Sequence, residues 1–145
     1  LSLSHADAVL SIVLSAVVLL MFVLLYPRIF AVTFDETFAR ATGTKAQLIN
    51  SVIAVLTAVT VVIGMRMMGA LLISSLIIFP ALTAMRICRS FKGVVICSAV
   101  VSVVCFVIGM AASYAFELPS GAAIVIVNIT AFAAFSFAAL LKKRA

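Results

Sequence analysis

The sequence predicts an all-α, multi-pass transmembrane helix bundle with about five spans. Of its 145 residues, 67% are apolar and only 10% are charged, whereas soluble domains carry about a quarter charged residues. The apolar residues form five long runs, and Lys and Arg cluster between those runs. So few polar groups could not cover the surface of this chain in water, so lipid must be its main solvent.

The five predicted spans cover residues 8–26, 46–64, 69–84, 94–114 and 122–141. The first has 19 residues, enough to cross a hydrocarbon core of about 30 Å, and we expect Pro27 and Arg28 to end it. In the third, the segment before Pro80 makes only about 16 Å of helix. We therefore expect that helix to break at Pro80 and protein, rather than lipid, to surround the break.

The segment 33–45 is polar and predicts a short amphipathic helix on the cytoplasmic membrane surface. Thr33 and Glu36 fit a capping box at its start. Glu36 and Arg40 are four residues apart and can pair. Gly43 fits the C-cap position, and two phenylalanines share one face of the helix.

The distribution of Lys and Arg predicts the orientation of the chain. Nine of the ten lie in three clusters, at 28–45, 86–92 and 142–144, and each interval between clusters holds two spans. All three clusters therefore share a side, which the positive-inside rule makes the cytoplasm. The C-terminus is expected to be cytoplasmic, and residues 1–7 and Arg66 are expected outside.

Several function classes lack their motifs in this sequence. It contains no P-loop motif, H-E-x-x-H, zinc-finger spacing or G-x-S-x-G, so we expect no ATP hydrolysis or other catalysis by the chain. The net charge of +6 does not indicate nucleic-acid binding, because the basic residues form no helix face.

His5 and Asp7 are the candidate metal ligands, at the predicted outer face. One imidazole and one carboxylate make an incomplete site, and ordinary interfacial polarity is the alternative. Asn128 is the most polar side chain within the last span, where it can bond a neighbouring helix or serve function. Because the spans contain no central carboxylate, we expect the main ligands of a transported metal to lie in a missing N-terminal half.

The most informative segment is 69–86, with the sequence GALLISSLIIFPALTAMR. It resembles the G-x-L-L-[VI]-x-x-L-[IL]-[IV]-x-P-A-x-[TA]-A pattern of the ABC-3 permease family. Segment 34–43 (FDETFARATG) resembles the acidic loop of that family, and segment 118–125 (LPSGAAIV) resembles its P-x-G-x-x-I-V turn. The residues before the first span, S-x-x-D, also resemble the family. Together these motifs cover nearly the whole chain, in the family's order.

The resemblance implies the C-terminal half of a type II-like ABC import permease in a bacterial plasma membrane. That family takes up zinc, manganese or iron, and here a divalent ion, zinc or manganese first, would be the cargo, with no cofactor. The implied partners are a second permease copy, a cytoplasmic ATPase and an extracytoplasmic metal-binding protein. Segment 80–92 resembles the coupling helix that contacts the ATPase. The implied contact residues are Pro80, Leu82, Met85, Arg86 and Arg89.

One departure from the family leaves the identity of the ATPase open, because Ala-Leu stands after Pro80 where Ala-Ala is common. A related permease for siderophores or cobalamin is an alternative, although this chain lacks the G-L and the His of that class near Pro80. An ATP-independent channel or secondary transporter is another. Intramembrane charges or inverted repeats would indicate that class, and neither is evident.

Overall fold

The computed structural model describes residues 4–144, with side chains described for residues 4–141. Residues 1–3 and 145, and the side chains of the predicted basic cluster 142–144, lie outside this description. Within the described residues the regular secondary structure is all helical, without strands, and five helices are long and apolar enough to cross a membrane. The predicted fold class and number of spans are confirmed. The chain divides into two units, one ending at Met67 and one beginning at Met68.

The first unit contains α1 (His5–Phe34), α2 (Glu36–Ala41) and most of α3 (Ala46–Met68). The helix does not end with the apolar run at Pro27, because α1 continues through that residue to Phe34. Ile29 and Val32 are buried beyond the proline, and aromatic rings four residues apart contact each other along the helix from Phe22 to Phe34. These contacts offset the cost of a proline inside a helix.

The two ends of α2 differ in how well they match the prediction. The predicted capping box is wrong: Thr33 lies within α1, and Asp35 caps α2 by accepting a hydrogen bond from Phe38 N at 2.9 Å. At the other end Gly43 has a φ of +84°, which glycine adopts without a Cβ penalty. The N–H groups of Gly43 and Thr44 bond the carbonyls of Arg40 and Ala39, as in a Schellman motif.

The second unit contains α4 (Ala70–Ile87), α5 (Phe91–Phe116) and α6 (Ser120–Arg144), and each of these helices packs on the other two. Leu72 Cδ1 lies 3.8 Å from the Cβ position of Gly121, and the Phe79 and Phe132 rings are 5.9 Å apart. From the first contact to the second, the residue numbers rise in both helices, so α4 and α6 run parallel. The buried residues of this unit are Leu72, Ser75, Pro80, Thr83, Ala84, Cys105, Gly109, Ala123, Ile124 and Asn128.

The predicted helix break at Pro80 is wrong. Pro80 lies inside α4, which continues for seven residues to Ile87. Proline removes one backbone hydrogen bond and costs about 3 kcal/mol in a helix interior. The next buried residues, Thr83 and Ala84, are small and allow close helix packing. The Thr83 hydroxyl also donates to the Phe79 carbonyl at 2.8 Å. This packing of α4 within its unit offsets the cost of the proline.

Candidate functional site

The last two turns of α4 have one buried face and one exposed face. Pro80, Thr83 and Ala84 form the buried face. The exposed face carries Leu82 and Met85, with 41% and 65% of their surface accessible, and two arginines follow it. We call the four exposed residues Leu82, Met85, Arg86 and Arg89 the α4 tip. Of the predicted ATPase contacts, these four are accessible, whereas Pro80 is buried on the opposite face of α4.

A short connection holds the α4 tip in place. The N–H of Cys88 donates to the Ala84 carbonyl at 2.8 Å and closes α4. Ser90 then begins α5, where its Oγ accepts a hydrogen bond from Gly93 N at 3.2 Å. The segment 80–92, which resembles a coupling helix, consists here of the end of α4, a three-residue link and the start of α5.

The chemistry of the α4 tip suits binding to a protein rather than catalysis. Each guanidinium presents up to five donors that match carboxylates. Exposed Leu82 and Met85 add apolar surface beside these charges. A partner with an apolar groove and acidic residues at its rim would complement this surface.

The predicted metal ligands His5 and Asp7 both belong to α1. The two residues lie two positions apart in the first turn of α1, where side chains at that spacing do not face each other. Asp7 Oδ1 instead lies 3.4 Å from a guanidinium nitrogen of Arg66. Each charge is at the favourable end of its helix dipole, the acid at the start of α1 and the base at the end of α3. Among the described residues, no three His, Cys, Asp or Glu side chains cluster as metal ligands.

Two buried polar side chains lie between the two contacts that align α4 with α6. Asn128 is only 1% exposed, and Ser75 is buried as well. Within residues 4–141, the Asn128 side-chain oxygen and nitrogen have no hydrogen-bond partner, and the Ser75 Oγ has none either. An unsatisfied buried polar group costs about 1–3 kcal/mol. The sequence predicted a helix-bonding or functional role for Asn128, whereas the burial of Ser75 depends on how α4 packs within its unit.

Comparison with known proteins finds relatives whose sequences are similar to this one over most of its length. Residues 1–139 match the model of the ABC 3 transport family. A probable iron transport system membrane protein of Haemophilus influenzae is 27% identical over 132 residues, which cover 91% of this chain and 49% of the relative. The manganese transport system membrane protein MntC of Listeria monocytogenes is 28% identical over 139 residues, covering 95% of this chain and 50% of the relative.

A solved structure has the same fold. PsaBC from Streptococcus pneumoniae, in complex with Fab, superimposes with a TM-score of 0.86 at 25% identity, covering 92% of this chain and 48% of that chain. The chain thus spans about half the length of the relatives it matches. Since the family model matches nearly all of its residues and a solved structure repeats its fold, the chain belongs to the ABC 3 transport family.

Proposed function

We propose that this chain forms part of the permease of an ABC importer that moves a divalent metal ion into the cell. The match of residues 1–139 to the ABC 3 transport family carries this proposal. Relatives named for manganese and iron transport support a metal ion as the cargo. Manganese is the first ion to test, with iron(II) and zinc beside it.

The α4 tip is the proposed contact with a cytoplasmic ATPase. Its buried base and short link to α5 support this role, because a push on the tip would reach α5 and α6 through packed side chains rather than through a flexible loop. The same proposal includes a second permease copy, an extracytoplasmic metal-binding protein and a cytoplasmic C-terminus. The clustering of Lys and Arg supports that orientation.

The ligands of the transported ion are proposed to come from another part of the transporter. Manganese and zinc favour carboxylate or imidazole ligands. The acids in the whole sequence are Asp7, Asp35, Glu36 and Glu117, and the one histidine is His5. None of them lies in the central part of a membrane-spanning helix. This chain would therefore supply the packed wall of the pathway and its coupling to the ATPase.

Transport in proteoliposomes tests the proposed function. The permease in its full natural length, reconstituted with its ATPase and binding protein, is expected to take up manganese only when ATP is supplied. Uptake of iron(II) and zinc, measured in parallel, identifies the preferred ion. A vanadate-inhibited sample is the matched control. Metal uptake that proceeds equally without ATP would exclude an ABC importer.

His5→Ala combined with Asp7→Asn tests the predicted metal ligands. We expect uptake at limiting manganese to fall less than about threefold, since two separated ligands do not complete a site. Arg66→Gln, which removes only the ion-pair partner of Asp7, is the control for local structure. A tenfold rise in KM with unchanged protein levels, absent from the control, would make His5 and Asp7 ligands.

A further inference from the structure

A basic cavity lies in the first unit, where the chain passes from α2 into α3. Its volume is about 380 Å³, and its lining includes Arg28, Thr42, Thr44, Lys45, Leu48 and Ile49. The lining holds two cations and two hydroxyl groups but no carboxylate. The cavity is therefore suited to an anion.

Nearby acids do not neutralise this cavity. Glu36 pairs with Arg40, and the Asp35 carboxylate accepts the N–H of Phe38. Within residues 4–141 the ion pairs join Arg40 to Glu36 and Arg66 to Asp7. Arg28 and Lys45 therefore have no carboxylate partner in the part of the chain that the structure describes.

The backbone adds to the positive potential at the cavity. The Schellman turn at Gly43 leads the chain directly into α3, and the Lys45 carbonyl accepts the N–H groups of Leu48 and Ile49. Lys45 thus lies at the start of α3, where the helix dipole is positive. Arg28, about two turns before the end of α1, and this helix terminus line the same cavity.

The position of the cavity along the helices corresponds to the headgroup layer of a membrane. Arg28 follows the 19-residue apolar run of α1, and Lys45 precedes the apolar span of α3. Exposed Phe34 and Phe38 lie in the same part of the chain, as aromatic residues do at membrane interfaces. Leu48, one turn into α3, is 58% exposed and gives the cavity an apolar edge toward the span.

We propose that this cavity binds an anionic phospholipid. Arg28 and Lys45 contact the headgroup phosphate, the Thr44 hydroxyl donates a hydrogen bond to it, and Leu48 lies along the start of an acyl chain. Basic pockets beside transmembrane helices recognise anionic headgroups in this way. The apolar edge favours a lipid over a free anion, because inorganic phosphate has no apolar group to pack against Leu48.

Native mass spectrometry of the purified, delipidated full-length permease tests this proposal. Dioleoyl phosphatidylglycerol is titrated against dioleoyl phosphatidylcholine, which has the same acyl chains but no net charge. We expect phosphatidylglycerol to bind more tightly. Arg28→Gln combined with Lys45→Gln should weaken its binding about tenfold or more, because each cation near an anionic headgroup contributes to affinity. Binding of phosphatidylcholine should stay unchanged.

Matched variants separate charge, apolar contact and folding. Arg28→Lys combined with Lys45→Arg keeps both charges and should retain most of the binding, whereas Leu48→Gln should weaken lipid binding without removing a charge. If the double glutamine variant does not elute as a single species in size-exclusion chromatography, Arg28→Gln and Lys45→Gln are tested separately. Each is expected to weaken phosphatidylglycerol binding about threefold. Equal binding of phosphatidylglycerol by wild type and the glutamine variants would overturn the proposal. Displacement of the lipid by millimolar inorganic phosphate would overturn its assignment to a phospholipid.

Discussion

Arg86→Glu combined with Arg89→Glu is expected to reduce ATP-driven metal uptake at least tenfold. The two substitutions change the charge of the α4 tip by four units, from two cations to two anions. Placing like charges opposite each other across an interface costs several kcal/mol, and each 1.4 kcal/mol changes an association constant about tenfold. Uptake in proteoliposomes and co-purification of the ATPase should therefore fall together.

A charge-conserving pair provides the control for this prediction. Arg86→Lys with Arg89→Lys keeps the sign of the tip and should retain most of the uptake, with some loss because Lys lacks the planar fork of Arg. Both pairs lie on an exposed surface, so the thermal stability of the permease should not change. If charge reversal left uptake and co-purification intact, the α4 tip would not be the ATPase contact.

Gly109→Ala is expected to destabilise the second unit strongly. A Cβ at Gly109 would lie 2.6 Å from both Cα and Cγ1 of Ile124 in α6. Backbone cannot move aside as a flexible side chain can, so α5 and α6 would have to separate. Overpacking in a close-packed core costs about 1–3 kcal/mol, and we expect a loss in the upper part of that range. Thermal unfolding in detergent measures it as a lower Tm.

Gly121→Ala is the matched control, because it makes the same chemical change in the same unit. The nearest side-chain atom to a Cβ at Gly121 is Leu72 Cδ1, at an ordinary contact distance of 3.8 Å. Alanine also favours a helix by up to about 1 kcal/mol over glycine. The Tm should therefore stay constant or rise. Equal losses for the two variants would mean that α5 and α6 do not pack as closely as the structure shows.

The number and type of the helices could be predicted from the sequence, but their ends could not. Apolar runs between clusters of charge are sufficient to locate spans, because burial in lipid depends mainly on composition. The errors occurred at Pro27 and Pro80, where proline was taken as the end of a helix. Packing of residues beyond each proline kept the helix intact, and such packing depends on neighbours that a local pattern does not reveal.

The candidate site was predicted in part for a similar reason. The motif at 69–86 indicated the correct family and contains three of the four residues of the α4 tip. It did not indicate that Pro80 faces inward while Leu82 and Met85 face outward, because that division depends on how α4 lies against α5 and α6. Asp7 and Arg66 are 59 residues apart, and only the fold brings them within 3.4 Å.

The unequal burial of the helices has a consequence for how the chain enters the membrane during synthesis. α1 has 30 residues, and its most apolar window is not buried by the rest of the chain. It can therefore insert as an independent helix, as the first stage of membrane protein folding requires. α4 has only 18 residues, is the least apolar of the five candidate spans and has 28% of its window buried. Pro80 and Thr83 in α4 lack the neighbours that bury them until α5 and α6 have been synthesised. We therefore expect α4 to need packing against α5 and α6 to remain stably inserted, which its insertion with and without those helices would measure.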